Sequence, residues 1–117
     1  MAFRFRQFPI YLELRAFVLE IYKLSETFPK EEQYALSSQL KRAATSSVLN
    51  IAEGSMKKSD AEFNRFILIS AGSISEVVAI MDLCLDLKYI STSQHAQFML
   101  KCENIIKQLY GFSRKLK

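Results

Sequence analysis

Apolar residues recur through this chain at alternating intervals of four and three, and that rhythm excludes most folds at the outset. From Ile10 it runs through Leu14, Phe17, Ile21, Leu24 and Phe28, which places six side chains on one stripe of a helix. Three more stripes follow: Leu36, Leu40, Ala43, Ser47 and Ile51; then Phe63, Ile67, Ser70, Ile74, Val77, Met81 and Cys84; then Phe98, Cys102, Ile105, Leu109, Phe112 and Leu116. A strand would need a period of two, and 3 Gly and 2 Pro in 117 residues are too few for the turns of a sandwich or barrel.

The stripes are separated by recognisable breaks. Phe28-Pro29 stops the first helix, because proline lacks an N–H and biases its predecessor away from helical geometry. The second starts from about Glu31 or Tyr34, and Gly54 near its end suits a left-handed C-cap. Ser59-Asp60-Ala61-Glu62 and Ser91-Thr92-Ser93-Gln94 fit capping boxes that open the third and fourth helices. Four stripes joined by short connections predict an all-α fold, an antiparallel up-down-up-down four-helix bundle with crossing angles of about 20°. Half the residues are apolar, enough for one core, so residues 1–117 form a single domain. Residues 1–8 read as an N-terminal arm, whose Phe3-Arg4-Phe5-Arg6 alternation is compatible with strand pairing, docking on a partner or fraying.

The third helix carries a second apolar stripe, Phe66, Ile69, Ile80, Leu83 and Leu87. A bundle core needs only one, so the second is expected at an interface with another copy. The second helix has a polar stripe that includes Gln39, Arg42, Ser46, Asn50 and Glu53, and Glu76 and Arg65 lie at compatible spacing on the third. Pairing of Arg42 with Glu76 or Glu53 with Arg65 is one reading, as a structural polar seam; a solvated outer face is the other.

The formal charge is +4, and the excess is terminal: residues 1–8 carry +2, residues 101–117 carry +4 and the middle −2. Basic ends release counterions from phosphate, in nucleic acid or on an anionic membrane, and they also complement helix dipoles and maintain solubility. No apolar run is read as long enough for a membrane span and no signal-peptide core follows Met1, so a soluble, cytoplasmic protein is expected. Cys84 and Cys102 lie on core stripes without metal-ligand spacing and are expected to be reduced and buried. The lone histidine, His95, has Thr92 three residues before it instead of a glutamate, which rules out a di-iron carboxylate pair. Its partner on a haem would be Met99 of the same helix, the wrong side for a second axial ligand, so His95 reads as a structural histidine. Glycines at 54, 72 and 111 make no phosphate loop, and no nucleophile has an evident base. No catalytic residue, metal, cofactor or enzyme activity is expected.

Two stretches on the polar stripe, Ser38-Gln39-Leu40-Lys41-Arg42-Ala43-Ala44 and Asn50-Ile51-Ala52-Glu53-Gly54, resemble signature segments of the bacterial four helix bundle protein family. That family was first named for proteins encoded in intervening sequences of the 23S ribosomal RNA genes. The likeness covers roughly residues 11–110 and extends through Phe28-Pro29-Lys30-Glu31-Glu32, Glu62-Phe63-Asn64-Arg65-Phe66, Ala71-Gly72-Ser73 and Leu87-Lys88-Tyr89-Ile90. Ala35 and Lys88 stand where the family usually has glycine, Lys41 where it has arginine and Val48 where it has proline. The resemblance implies a bundle that assembles as a ring, usually a homopentamer. A distant relative is the accessory variability protein of diversity-generating retroelements, which binds nucleic acid and a reverse transcriptase.

Two functional readings follow. In one, the oligomer binds structured RNA or DNA through Arg4, Arg6, Lys41, Arg42, Lys57, Lys58 and Arg65, with repetition of a weak patch supplying affinity and little base readout. In the other it is a protein-interaction scaffold with no nucleic-acid role, and the basic residues only solubilise it.

Overall fold

The computed structural model of the chain describes residues 3–116. It is an antiparallel four-helix bundle: α1 spans Pro9–Ser25, α2 Leu36–Ser55, α3 Asp60–Asp86 and α4 Thr92–Lys115. Short 3-10 turns at Arg4–Gln7 and Lys30–Glu32 precede α1 and α2. The molecule measures 43 × 23 × 19 Å, and its long axis is set by α3, whose 27 residues rise about 40 Å.

All four core stripes point inward. Leu14, Ile21, Leu40, Ile51, Ile67, Ile74, Met81, Ile105 and Leu109 lose essentially all contact with solvent. Burial also pushes the thiol of Cys84 up to about 11 and that of Cys102 to about 12, so both stay protonated and unreactive.

The tightest contact joins α2 to α3, where small residues bring the two backbones together. Ser70 Oγ donates to the Ser47 carbonyl at 2.7 Å across the pair, and the hydroxyls of Ser46 and Ser73 meet at 2.9 Å. Gly54 lies inside α2, not at a left-handed C-cap as the sequence suggests, and it has no positive φ. Its role is proximity: a Cβ there would fall 2.5 Å from Phe66 Cβ.

The helix starts are secured in different ways. Ser91 and Gln94 form the complete reciprocal box at α4, whereas at α3 Ser59 Oγ accepts from the Glu62 N–H without the return bond. At α2 the N-cap residue Ala35 has no side-chain acceptor, and Glu32 takes over: its Oε1 accepts from the Leu36 N–H and its Oε2 from the Tyr89 hydroxyl. That bond holds the Tyr89 phenol above its ordinary pKa. Tyr89 follows Lys88, which sits at φ 64°. The glycine usual in the resembled family has no Cβ to oppose that left-handed conformation.

Two expectations need correction. Residues 3–8 are not a free arm: the turn at Arg4–Gln7 lies on the bundle, with Phe8 against Phe63 and Phe112. Residues 1 and 2 fall outside the described range. And α3 is, by length and composition, apolar enough to cross a membrane, because its core stripe and outer face are both rich in aliphatic residues.

Two helical glycines, Gly54 at the end of α2 and Gly72 in the middle of α3, separate packing from propensity. Replacing Gly54 by Ala should destabilise the fold by about 1–3 kcal/mol through overpacking against Phe66. Gly72→Ala, whose Cβ meets nothing within 4 Å, should stabilise the isolated bundle by up to about 1 kcal/mol. Denaturant unfolding of both variants checks the sign of each.

Candidate nucleic-acid interface

Antiparallel topology decides which charges meet. The chain start, the α2–α3 turn and the end of α4 share one end of the bundle, closed by the aromatic cluster of Phe8, Phe63 and Phe112. Asn64 and Ser113 hydrogen-bond there between α3 and α4. Five of the expected phosphate-binding residues, Arg4, Arg6, Lys57, Lys58 and Arg65, therefore gather at this end. Arg114 and Lys115 from the last turn of α4 join them. The sequence showed those two as terminal charge, but only the fold places them beside the α2–α3 turn.

The neighbours of each basic group differ. Arg4 is engaged by its own chain: Nη2 donates to the Ser55 carbonyl at 3.5 Å, and the guanidinium lies over the rings of Phe8 and Phe63. That contact caps the C-terminal end of α2 and fixes the first turn, so Arg4 is a structural residue first. Phe66 carries Lys57 Nζ at 5.0 Å and the Arg65 guanidinium at 5.7 Å from its ring centre. Lys57 also approaches Glu53 at 3.8 Å, an exposed pair of little energetic weight. Arg6, Lys58, Arg114 and Lys115 are exposed.

The acidic groups at this end are Glu13, Glu53, Asp60 and Glu62. At the opposite end Glu26, Glu31, Glu32, Asp82 and Asp86 face Lys23, Lys30, Lys41, Arg42 and Lys88. Helix dipoles largely cancel in an antiparallel bundle, so side chains set the potential, and the excess positive charge lies at the first end while the opposite end is close to balanced.

Lys41 and Arg42 are set apart, about 24 Å along α2 from Lys57. They line a groove of about 720 Å³ on the outer side of α1 and α2. Lys41 Nζ lies 5.2 Å from the centre of the Tyr22 ring. Further along, Asn50 donates its amide to the Ser46 carbonyl and hydroxyl.

The polar seam takes a different form from the expected one. Glu53 pairs within its own helix with Lys57 and not with Arg65, and no ion pair joins Arg42 to Glu76 among the described residues. Gln39, Arg42 and Glu76 are exposed, as on a solvated face, while Ser46 and Ser73 make the polar contact between helices and Asn50 bonds to Ser46 within α2. His95 gains a partner that no sequence spacing revealed, Asp82 of α3 at 2.8 Å.

The second stripe of α3 divides. Ile69 is 40% exposed, and Leu83 and Leu87 are 50% exposed. Phe66 is half-buried against Gly54. Ile80, at 5% exposure, belongs to the core of the single chain and not to an outer interface. Phe66, Ser73 and Ile80 follow one heptad line, and the first two of them touch α2. Among the described residues no group of three or more His, Cys, Asp or Glu side chains is arranged to hold a metal.

A family model for the 23S rRNA-intervening sequence protein matches residues 6–111. A solved structure from Bacteroides thetaiotaomicron, a protein of unknown function from the S23 ribosomal protein family, superposes with a TM-score of 0.81 at 22% identity. The match covers 89% of this chain and 97% of that one. Comparison with curated proteins finds no match.

The divided stripe is separable by mutation. Ile80→Lys should unfold the bundle or cost about 3 kcal/mol or more, because it buries an unpaired charge. Leu83→Lys should leave the stability of the single chain within about 0.5 kcal/mol. Circular dichroism melts of the two variants at matched low concentration test the contrast.

Proposed function

This chain belongs to the 23S rRNA-intervening sequence protein family, and we propose that it is a non-enzymatic, homo-oligomeric binding protein that grips structured RNA or DNA by its basic end. The observation that carries the reading is the gathering of Arg6, Lys57, Lys58, Arg65, Arg114 and Lys115 from separate parts of the chain at one end of the bundle. Acids and bases nearly balance at the other end, so the net attraction for a phosphate backbone lies at the basic end. These side chains contact phosphates and not base edges, which predicts affinity without sequence preference.

Self-association acts through the exposed apolar face of α3, where Ile69, Leu83 and Leu87 stand in water in the single chain. Five copies is the number the family resemblance implies, and a ring of them multiplies each basic end. The same apolar face favours a second reading, a scaffold whose partner is another protein.

Titration of nuclease-treated protein with an RNA hairpin and a DNA duplex of equal length, across a range of salt, tests the first reading. Affinity should fall steeply with salt, with a log-log slope of about 0.9 per phosphate contact on duplex DNA. Lys58→Glu with Arg114→Glu should lower both the affinity and that slope, while Lys23→Glu with Lys30→Glu at the opposite end should change neither. Absence of binding at low salt would leave the scaffold reading in its place. Light scattering of Leu83→Lys should show a smaller assembly than the wild type.

A further inference from the structure

The groove on the outer side of α1 and α2 lies away from the basic end, and its lining combines three kinds of group. The first is free aromatic surface. Tyr34 is 89% exposed, in the turn just before α2, and Tyr22 is exposed on α1 beside it. The second is positive charge. Lys41 lies against the Tyr22 ring, and no carboxylate pairs with Lys41 or Arg42 among the described residues. The third is neutral hydrogen-bonding capacity. The Asn50 amide nitrogen is spent on Ser46, which leaves its carbonyl oxygen available. The one acid on the lining, Glu53, lies at the far end of α2, where Lys57 approaches it.

The volume of about 720 Å³ falls in the range of about 300–1,000 Å³ typical of small-ligand sites. Flat rings beside cations and amides are the chemistry that holds unpaired nucleotides, because every base has a face to stack and every linkage a phosphate to neutralise. We propose that this groove binds an unpaired stretch of RNA or DNA, with phosphates at Lys41 and Arg42 and a base stacked on Tyr34. The inference rests on the nucleic-acid reading of the protein, but it concerns a different ligand form from the duplex at the basic end.

The test uses the full chain and an oligouridylate of about seven nucleotides, which has no stable duplex form. The readout is the fluorescence anisotropy of an end-labelled oligouridylate, which serves wild type and every variant alike. A saturable rise in anisotropy is expected. Tyr34→Ala should weaken binding about 5- to 150-fold, the range for loss of one stacked base, and Tyr34→Phe should hold it within about twofold. Arg42→Gln should weaken binding and flatten its salt dependence. Duplex binding at the basic end should be the same in Tyr34→Ala as in the wild type.

The outcomes separate the two claims. Oligouridylate binding without duplex binding upholds the groove and removes the basic end. Duplex binding with no oligouridylate binding, or with oligouridylate binding indifferent to Tyr34→Ala, overturns the groove and leaves the basic end standing. Loss of assembly mass in Tyr34→Ala or Arg42→Gln, with no effect on oligouridylate affinity, assigns the groove to a second copy and overturns it as well. Because Tyr34 is so exposed, neither of its variants threatens the fold.

Discussion

The close approach of α2 to α3 is the constraint on which the rest of the molecule depends. Gly54 admits Phe66, and the serines at 46, 47, 70 and 73 allow hydroxyl-to-backbone and hydroxyl-to-hydroxyl contacts where larger side chains would hold the helices apart. Helices packed this near have little freedom to slide, so their axial register is set. Register in turn decides that Lys57 and Arg65 share Phe66, and that the α2–α3 turn lies level with the two chain ends. The electrostatic polarity of the bundle thus descends from a packing detail among small residues.

What was legible in the chain follows from what repeats. Each helix buries a stripe over several turns, so Ile10 to Phe28 or Phe63 to Cys84 announce both the element and its inner face. A contact made once, between elements distant in sequence, leaves no period. The Asp82 partner of His95 and the Glu32 carboxylate shared by Leu36 and Tyr89 are of that kind. Glu53 illustrates the boundary: its i, i+4 neighbour Lys57 is visible in the sequence, yet Arg65 on the next helix looked equally suitable until register was known. Ile80 was misplaced for a related reason. A flank of α3 that lies on α2 and a face that looks outward are only a fraction of a turn apart, and a linear pattern does not distinguish them.

The candidate site was less legible than the fold because surface charge has no periodicity to obey. Seven basic positions were named from sequence, and topology sorted them into an end cluster and a groove pair. Arg4 moved furthest in meaning. Its guanidinium is committed to the Ser55 carbonyl and to two aromatic faces, so the same chemistry that recommends an arginine for phosphate here serves the chain's own helix end.

That placement of the first turn also has a bearing on the order in which the molecule is completed. Phe3 to Phe8 precede all four helices in the sequence, yet the surfaces that receive them are contributed by Ser55, Phe63 and finally Phe112. Helix pairs close early because their contacts are local, whereas the opening turn waits for nearly the entire chain. The seat of the segment ahead of α1 is therefore complete only when α2, α3 and α4 are all present and aligned.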